Sequence, residues 1–315
     1  MHPSRDIIFF TTASGAGYGI LFWLGIFAMM RALPTDRAFG VVALVVAFGL
    51  IVAGLLASTR HLGHPERMLM AFSQWRSSWL SREGVLAMVT FGPAGLFALG
   101  WVVFENNRGL WADMGTLTAI LAVATVFSTA MIYASLRAIP AWHSVWVPVN
   151  YLVLAGLTGA VFLNFVGVLF DTHQLMIARA AMPTILIALV CKLIYWAIVD
   201  SKRVSTIGSA TQLERIGAVR PLDPPHTTSN YLQREMGYKL DNKVGRALRF
   251  FVVIWTYLVP FFCVLVGRDV GSPAWALTLA LVALVGVAAG VGAERWLFFA
   301  EAKHQSALYY DERHI

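Results

Sequence analysis

The chain has 315 residues, of which 58% are hydrophobic and only 13% are charged, and its mean hydropathy is +0.68. A soluble domain carries about 25% charged residues, so the composition excludes an ordinary soluble protein and predicts several membrane spans. The net charge of +7 is explained by basic loops at a membrane surface rather than by nucleic-acid binding. Cys191 and Cys263 both lie in apolar runs, which leaves no CxxC metal ligands, c-type haem attachment site or disulfide framework.

Eight apolar segments are long enough to cross a bilayer, which needs about 20 residues per helix. The first begins within MHPSRDIIFF, is too long for a signal peptide and shows no small-residue cleavage site, so we expect it to be retained. The predicted fold is an all-α integral membrane protein, a single transmembrane domain over 1–315 with about eight helices. Its spans are predicted at 7–30, 38–59, 85–105, 114–136, 148–170, 177–199, 248–267 and 274–298, with a polar loop at 201–247 and a tail at 300–315.

The distribution of basic residues predicts the orientation of the bundle. An even number of spans places both termini on one side, together with the 201–247 loop. Of the 24 Lys and Arg residues, Lys192 lies within a span and five lie on the opposite side, which leaves 18 on the side of the termini. The positive-inside rule then predicts both termini in the cytoplasm of a bacterium, with the protein in its inner membrane. The five opposite residues are Arg31, Arg37, Arg108, Arg179 and Arg268.

Small residues recur within three of the predicted spans. They form the segments SGAGYG at 14–19, AGLTGA at 155–160 and GVAAGVG at 286–292. The first is a poor nucleotide-binding loop, because no strand precedes it and the run lies in lipid. Small residues allow helix backbones to approach each other, so we predict close helix packing at all three segments. Gly286 and Gly290 form a GxxxG pair, which also predicts close helix packing.

The connection between the second and third spans, TRHLGHPERMLMAFSQWRSSWLSREG at 59–84, carries the first candidate site. His61 follows one span and Glu83 precedes the next, so both lie at a similar depth. A quinone head group needs apolar walls and titratable proton donors, and histidine titrates near neutral pH. The sequence therefore predicts a quinone site with His61 and Glu83, and with Trp79 and Arg82 beside them. The alternative is that His61 and Glu83 only cap helix ends.

The turn after the fourth span, YASLRAIPAWHSVWVPVN at 133–150, is interrupted by Pro140 and Pro148, which prevent one continuous helix. Trp142 and Trp146 within it are either interfacial anchors or one wall of the quinone pocket. They are included among the candidate quinone-binding residues.

Three further ionisable residues lie inside the spans. Lys192 either has a function or extends its ammonium to the nearby surface. Glu294 and Arg295 either line a cytoplasmic cavity or end the last helix. An ion pathway through Lys192 and Glu294 would suit a secondary transporter, but the sequence shows no inverted repeats. A transmembrane haem b is not expected, because none of the eight histidines lies mid-span.

Four motifs in order along the sequence resemble the membrane anchor subunits of the dimethyl-sulfoxide-reductase type. They are HLGHP at 61–65, SSWLSREG at 77–84, PAWHSVWVP at 140–148 and GAERWLFF at 292–299. The resemblance implies a complex of a molybdopterin catalytic subunit, an iron–sulfur subunit and this quinone-reactive anchor, with no metal in this chain. His61 and Glu83 match the positions associated with quinol chemistry in that family.

Two features depart from the dimethyl sulfoxide reductases, which place their catalytic subunits outside the cytoplasmic membrane. The charges place His61 on the cytoplasmic face, and RPLDPPHTTSNYLQREMGYKL in the long loop resembles the branch of cytoplasm-facing sulfite dehydrogenases. We therefore expect electrons from sulfite to reach ubiquinone or menaquinone, with Arg60, Arg67 and Arg76 helping to dock the iron–sulfur subunit. The alternatives are an anchor for another substrate, such as a reductase using quinol, and a secondary transporter.

Overall fold

A computed structural model of the protein describes residues 2–60, 70, 72–171, 175–202, 205–219, 222–223, 228, 233 and 237–310. Its α-helices are α1 (Arg5–Met29), α2 (Arg37–Thr59), α3 (Trp79–Val102), α4 (Leu110–Ala134), α5 (Trp146–Leu169), α6 (Leu175–Ser201), α7 (Ile207–Thr211), α8 (Asn242–Val252), α9 (Val259–Gly267) and α10 (Pro273–Ala300). Short 3₁₀ turns lie at Phe72–Gln74, Leu213–Arg215 and Gln305–Tyr310, and a π-helical turn, Val253–Leu258, joins α8 to α9.

Within the described residues, eight helical segments are long and apolar enough to cross a membrane, which confirms the predicted number of spans. The observed helices extend further into polar sequence than predicted. The third begins at Trp79 rather than 85, because the Ser78 side chain accepts a hydrogen bond from the backbone of Ser81. The seventh begins at Asn242, where Asp241 accepts from the Lys243 backbone at 2.7 Å. Capping side chains can start a helix outside the apolar core of a membrane.

The small residues of the first two segments bring helix backbones into contact. Helix α1 packs against α2, α4 and α5 at the centre of the bundle. A Cβ atom on Gly19 would lie 1.8 Å from the carbonyl oxygen of Ala155, and one on Gly159 would lie 2.2 Å from the carbonyl carbon of Gly19. A Cβ atom on Gly17 would lie 2.6 Å from the carbonyl oxygen of Ala47. The predicted close packing is confirmed, because no larger residue fits at these positions.

The third small segment packs α10 against the π-helical turn. A Cβ atom on Gly290 would lie 2.2 Å from Thr256 Oγ1, and one on Gly286 would lie 3.1 Å from the Trp255 carbonyl oxygen. The GxxxG pair therefore has the packing role that the sequence predicts. A π-helical turn is wider than an α-helical one, and here its residues fill the groove left by the two glycines.

We call the end of the bundle at which α1 begins the N-terminal end. The other helix ends that lie there are tied together by charged groups. Arg249 of α8 donates to Asp200 of α6 at 2.7 Å and to Glu301, the residue after α10, at 2.8 Å. The Lys202 ammonium donates to the carbonyl oxygens of Pro140 and His143, the latter at 3.1 Å. Partial burial lowers the pKa of Lys202 below its ordinary value.

The segment after α10 packs against the turn between α4 and α5. The backbone N–H of Gln305 donates to the carbonyl oxygen of Ala138 at 2.9 Å. The backbone N–H of Ser306 donates to Nδ1 of His304 at 3.1 Å. Partial burial lowers the pKa of His304 below its ordinary value of 6.5. The neutral imidazole that accepts this bond is therefore the form that the folded protein favours.

Candidate functional site

Glu83 lies inside the bundle near its N-terminal end. It is the fifth residue of α3, only 5% exposed, and the Thr129 hydroxyl of α4 donates to its Oε1. The helix-cap interpretation of Glu83 is wrong, because α3 begins four residues earlier and Ser78 is its N-cap. A carboxyl group buried in a membrane span is costly to keep, so it marks a candidate functional site.

Two of the residues predicted beside Glu83 lie together at the rim of the bundle. The Arg82 guanidinium stacks over the Trp79 ring at 4.2 Å from its centroid. It also donates to the carbonyl oxygens of Trp75 at 3.0 Å and Arg76 at 2.6 Å, which fixes the turn before α3. The Trp79 ring contacts Phe127 edge to face, with centroids 6.0 Å apart. Trp79 and Arg82 thus form a rim at the start of the helix that carries Glu83, and their part in a quinone site stays a prediction.

The 59–84 connection contains four further residues with predicted roles, of which the structure describes only two. His61 and Arg67 lie outside the described residues, so the proximity of His61 to Glu83 stays a prediction. Arg60 is the exposed C-cap of α2, and Arg76 is exposed with its guanidinium 5.6 Å from the Trp75 ring. Both arginines are accessible at the N-terminal end, as docking of a partner requires.

The two tryptophans of the turn after α4 have different environments. Trp142 is 2% exposed, its Nε1 donates to the Phe298 carbonyl oxygen at 2.9 Å, and its ring stacks on Phe298 with centroids 5.4 Å apart. Tyr133 contacts the Trp142 ring edge to face, with the ring centroids 5.2 Å apart. The interfacial-anchor interpretation is therefore wrong for Trp142, whose ring joins the turn to α10. Trp146 is half-buried at the start of α5, and its predicted role stays a prediction.

Lys192, Glu294 and Arg295 form a buried cluster between α6 and α10, which we call the ionic cluster. The Lys192 ammonium donates to Oε1 of Glu294, and Nε of Arg295 donates to Oε2 at 2.5 Å. Their side chains are 2%, 0% and 3% exposed. The expectation that Lys192 extends to the surface is wrong, because a carboxylate lies within its reach. With two cations and one anion, the cluster carries a formal charge of +1.

Aromatic rings enclose the two cations of the ionic cluster. The Lys192 ammonium lies 4.6 Å from the ring centroid of Tyr195 and 5.0 Å from that of Trp196. The Arg295 guanidinium lies 4.0 Å from the ring centroid of Tyr151. A cation over a ring face is stabilised by the ring quadrupole, and more so where water is excluded. The rings therefore stabilise the positive charge that Glu294 alone does not neutralise.

A small cavity of about 20 Å³ lies between α1, α4, α5 and α10, with several hydroxyl groups on its walls. Thr129, which donates to Glu83, lies on one wall and Arg295 of the ionic cluster lies on another. Sequence reasoning missed this cavity, because its polar residues are scattered singly over four helices and form no motif. The polar residues that line it are Thr11, Thr12, Ser14, Tyr18, Thr129, Tyr151, Thr158 and Arg295.

The described part of the protein offers no metal centre. No three His, Cys, Asp or Glu residues among the described ones lie close enough together to hold an ion. Cys191 and Cys263 are free and lie on different helices. A buried carboxyl group with a hydroxyl partner, as Glu83 has in Thr129, can hold and transfer a proton.

The sequence profile of the DMSO reductase anchor subunit (DmsC) family matches residues 1–300. The protein is similar to a sulfite dehydrogenase subunit of Allochromatium vinosum, with 31% identity over 329 aligned positions that cover 98% of this sequence and 99% of that subunit. It is also similar to a subunit of the anaerobic dimethyl sulfoxide reductase of Escherichia coli, with 30% identity over 134 positions that cover 38% of this sequence and 45% of that subunit.

Proposed function

The protein belongs to the DMSO reductase anchor subunit family, and from this premise we propose that it is the quinone-binding anchor of a molybdopterin and iron–sulfur oxidoreductase that oxidises sulfite. The similarity to a sulfite dehydrogenase subunit over nearly the whole sequence supports the substrate. The observation that carries the quinone role is the buried Glu83 carboxyl group, which accepts a hydrogen bond from Thr129 close to the rim formed by Trp79 and Arg82.

The position of the quinone head group follows from the space around Glu83. The cavity of about 20 Å³ is too small for a quinone ring, so we place the ring on the rim side of Glu83. Trp79 with Phe127 supplies an apolar wall there, and α2 ends at the same end of the bundle, immediately before His61. Trp142 belongs to an aromatic cluster behind the turn, so we assign it to support of the site rather than to the pocket wall.

Reduction of the quinone consumes two electrons and two protons. The electrons would come from sulfite oxidation in the partner subunits, to which we assign the molybdopterin and iron–sulfur groups. Glu83 holds a proton next to one quinone oxygen, and His61 supplies the other, since histidine is a side chain suited to proton transfer near neutral pH. Thr129 keeps the Glu83 carboxyl group oriented by donating to Oε1.

The N-terminal end of the bundle is the proposed cytoplasmic face of a bacterial inner membrane. The excess of Lys and Arg in its loops supports this orientation. Arg60, Arg67 and Arg76, together with the loop 201–247 and the tail 300–315, form the proposed docking surface for the iron–sulfur subunit. The exposure of Arg60 and Arg76 at this end is consistent with that role.

A second candidate is an anchor that passes electrons in the opposite direction, from quinol to a reductase. The similarity to a dimethyl sulfoxide reductase subunit, which covers 38% of this sequence, favours this second candidate. A secondary transporter is disfavoured, because Lys192 and Glu294 are paired with each other rather than facing a pathway. Purification separates these classes, since an anchor is recovered with two larger metal-containing subunits and a transporter without them.

The test is sulfite-dependent reduction of a ubiquinone analogue by inverted membrane vesicles with and without this protein. We expect activity only when it is present, and loss of most of that activity on Glu83→Gln. Glu105→Gln is the matched control, because Glu105 lies at the other end of the bundle, with its side chain 65% exposed. Full activity of Glu83→Gln would refute the site. Inactive vesicles with the catalytic subunits attached would refute sulfite as the substrate.

A further inference from the structure

Three hydroxyl groups on the wall of the 20 Å³ cavity have no hydrogen-bond partner among the residues that the structure describes. They are Oγ1 of Thr12 and Oη of Tyr18, both on α1, and Oη of Tyr151 on α5. Tyr18 is only 3% exposed, so its hydroxyl has no access to bulk water. Buried polar groups are nearly always hydrogen-bonded to protein or to an internal water. The three groups therefore point to a polar ligand inside the cavity.

The size and lining of the cavity fit a single water molecule. One water needs about 10–15 Å³ and two to four polar partners, and this cavity has about 20 Å³ with Thr12, Tyr18 and Thr129 on its walls. Arg295 also lines it, and its positive charge disfavours a metal cation in the same space. A water molecule satisfies the unpartnered hydroxyl groups of Thr12 and Tyr18, whereas Na⁺ or Mg²⁺ does not suit a site beside a guanidinium.

Glu83 is connected to this cavity through Thr129. The Thr129 hydroxyl donates to Oε1 of Glu83 and lies on the cavity wall. A hydroxyl group accepts one hydrogen bond while it donates another, so it passes a proton when both bonds reverse. Tyr18 also lies close enough to interact electrostatically with Glu83. The carboxyl group thus has a polar contact on its cavity side, opposite the position proposed for the quinone.

On the side of α1, the cavity is lined by residues that are partly exposed. Thr12, Gly15 and Ala16 line the cavity, and Thr12 and Gly15 are partly exposed. Thr12 is the eighth residue of α1, so at 1.5 Å per residue it lies about 10 Å from the start of the helix. That depth is close to the N-terminal end, where a proton can enter from water.

We propose that Thr12, Tyr18 and Thr129, with a water molecule held among them, form a proton-transfer path that reloads Glu83. This inference rests on the proposed quinone function. Along the path, each transfer breaks one O–H bond and forms the next, and the last transfer protonates the Glu83 carboxylate after it has given its proton to the quinone. No electron moves along the path. The protons come from water at the N-terminal end of the bundle, and the three residues act through Glu83 rather than on the quinone.

The test uses the assembled complex in membranes, with sulfite as electron donor and a ubiquinone analogue as acceptor. We expect Tyr18→Phe and Thr129→Val to lower kcat roughly 10-fold to 100-fold, because proton delivery becomes limiting. The KM for the quinone analogue stays unchanged, and the ratio of rates in H₂O and D₂O increases. Thr129→Ser, which keeps the hydroxyl, restores the rate.

Tyr257→Phe is the matched control. Tyr257 is fully buried and its hydroxyl also lacks a partner within the described part of the protein, but it lies in the π-helical turn and does not line the cavity. We expect wild-type kcat and an unchanged isotope ratio for this variant. The path is refuted if Tyr18→Phe behaves like Tyr257→Phe while the wild-type complex reduces the quinone. An inactive wild-type complex refutes the proposed function instead. If Thr129→Val does not assemble, Thr12→Val provides the second variant.

Discussion

The ionic cluster yields the sharpest prediction about stability, because its charges do not balance. Glu294 is the single anion between Lys192 and Arg295, and all three side chains are at most 3% exposed. Glu294→Gln preserves the shape of the side chain but leaves two buried cations without a counter-charge. Lys192→Met instead leaves Arg295 and Glu294 as a neutral pair with Nε and Oε2 at 2.5 Å. The two substitutions therefore have very different expected costs.

The expected loss of folding stability depends on which ionic partner each substitution removes. Removing one partner of a buried ion pair destabilises a protein by about 3–5 kcal/mol, and Glu294→Gln affects two pairs, so we expect at least the upper end of this range. Lys192→Met loses one charge-assisted hydrogen bond, which is worth about 1.5–3 kcal/mol, and its apolar side chain fills the same space. Since the stability of a native protein is about 5–15 kcal/mol, Glu294→Gln removes a large part of it.

The assay is the thermal unfolding of the purified complex in detergent, followed as the fraction that remains monodisperse after heating. We expect a much lower Tm for Glu294→Gln than for Lys192→Met. The double variant is less destabilised than the sum of the single variants, because the residues share one interaction. A Lys192→Met variant that is as unstable as Glu294→Gln, or more so, contradicts the charge balance described for this cluster.

Two further predictions concern packing and pH. Gly19→Ala prevents accumulation of the folded protein in membranes, because the added Cβ lies 1.8 Å from the Ala155 carbonyl oxygen. The control is Gly49→Ala, whose Cβ meets no described atom within 4 Å. On an immunoblot of membranes, we expect the control to accumulate normally. The backbone amide of Ser306 loses its protection from hydrogen exchange as the pH falls through the pKa of His304. Burial lowers that pKa below 6.5, and only the neutral ring accepts the hydrogen bond that the Ser306 amide donates. Hydrogen exchange corrected for intrinsic rates measures this, with the protonation of His304 followed by NMR in the same samples. Protection that stays the same after the ring has become protonated excludes the prediction.

The spans and their close contacts were predictable because the bilayer imposes simple rules. A helix that crosses it needs about 20 apolar residues, and contacts between backbones need residues without large side chains. The segment SGAGYG accordingly meets Ala155 and Gly159 of AGLTGA. The start of α3 was placed six residues too late, because the polar residues before Glu83 suggested a loop, whereas Ser78 caps a helix there.

The candidate site was predictable only in part. Glu83 stands out in the sequence as a carboxylate at the edge of an apolar run, but its partner Thr129 is 46 residues away and carries no distinguishing pattern. The pairing of Lys192 with Glu294 spans 102 residues. Such contacts depend on which faces of two helices meet, and helices that are apolar all round give no periodicity from which a face is read.

The ion pairs of Arg249 have a consequence for the long loop between α6 and α8. Asp200 lies just before this loop and Arg249 lies just after it, and their side chains meet at 2.7 Å. The backbone therefore leaves the helix bundle and returns to it beside this ion pair. Lengthening the loop changes only the entropy of closing it, by about 0.6 kcal/mol for each doubling of length. An insertion in the loop therefore leaves the helix packing of the bundle unchanged, whereas it disturbs the proposed docking of the iron–sulfur subunit.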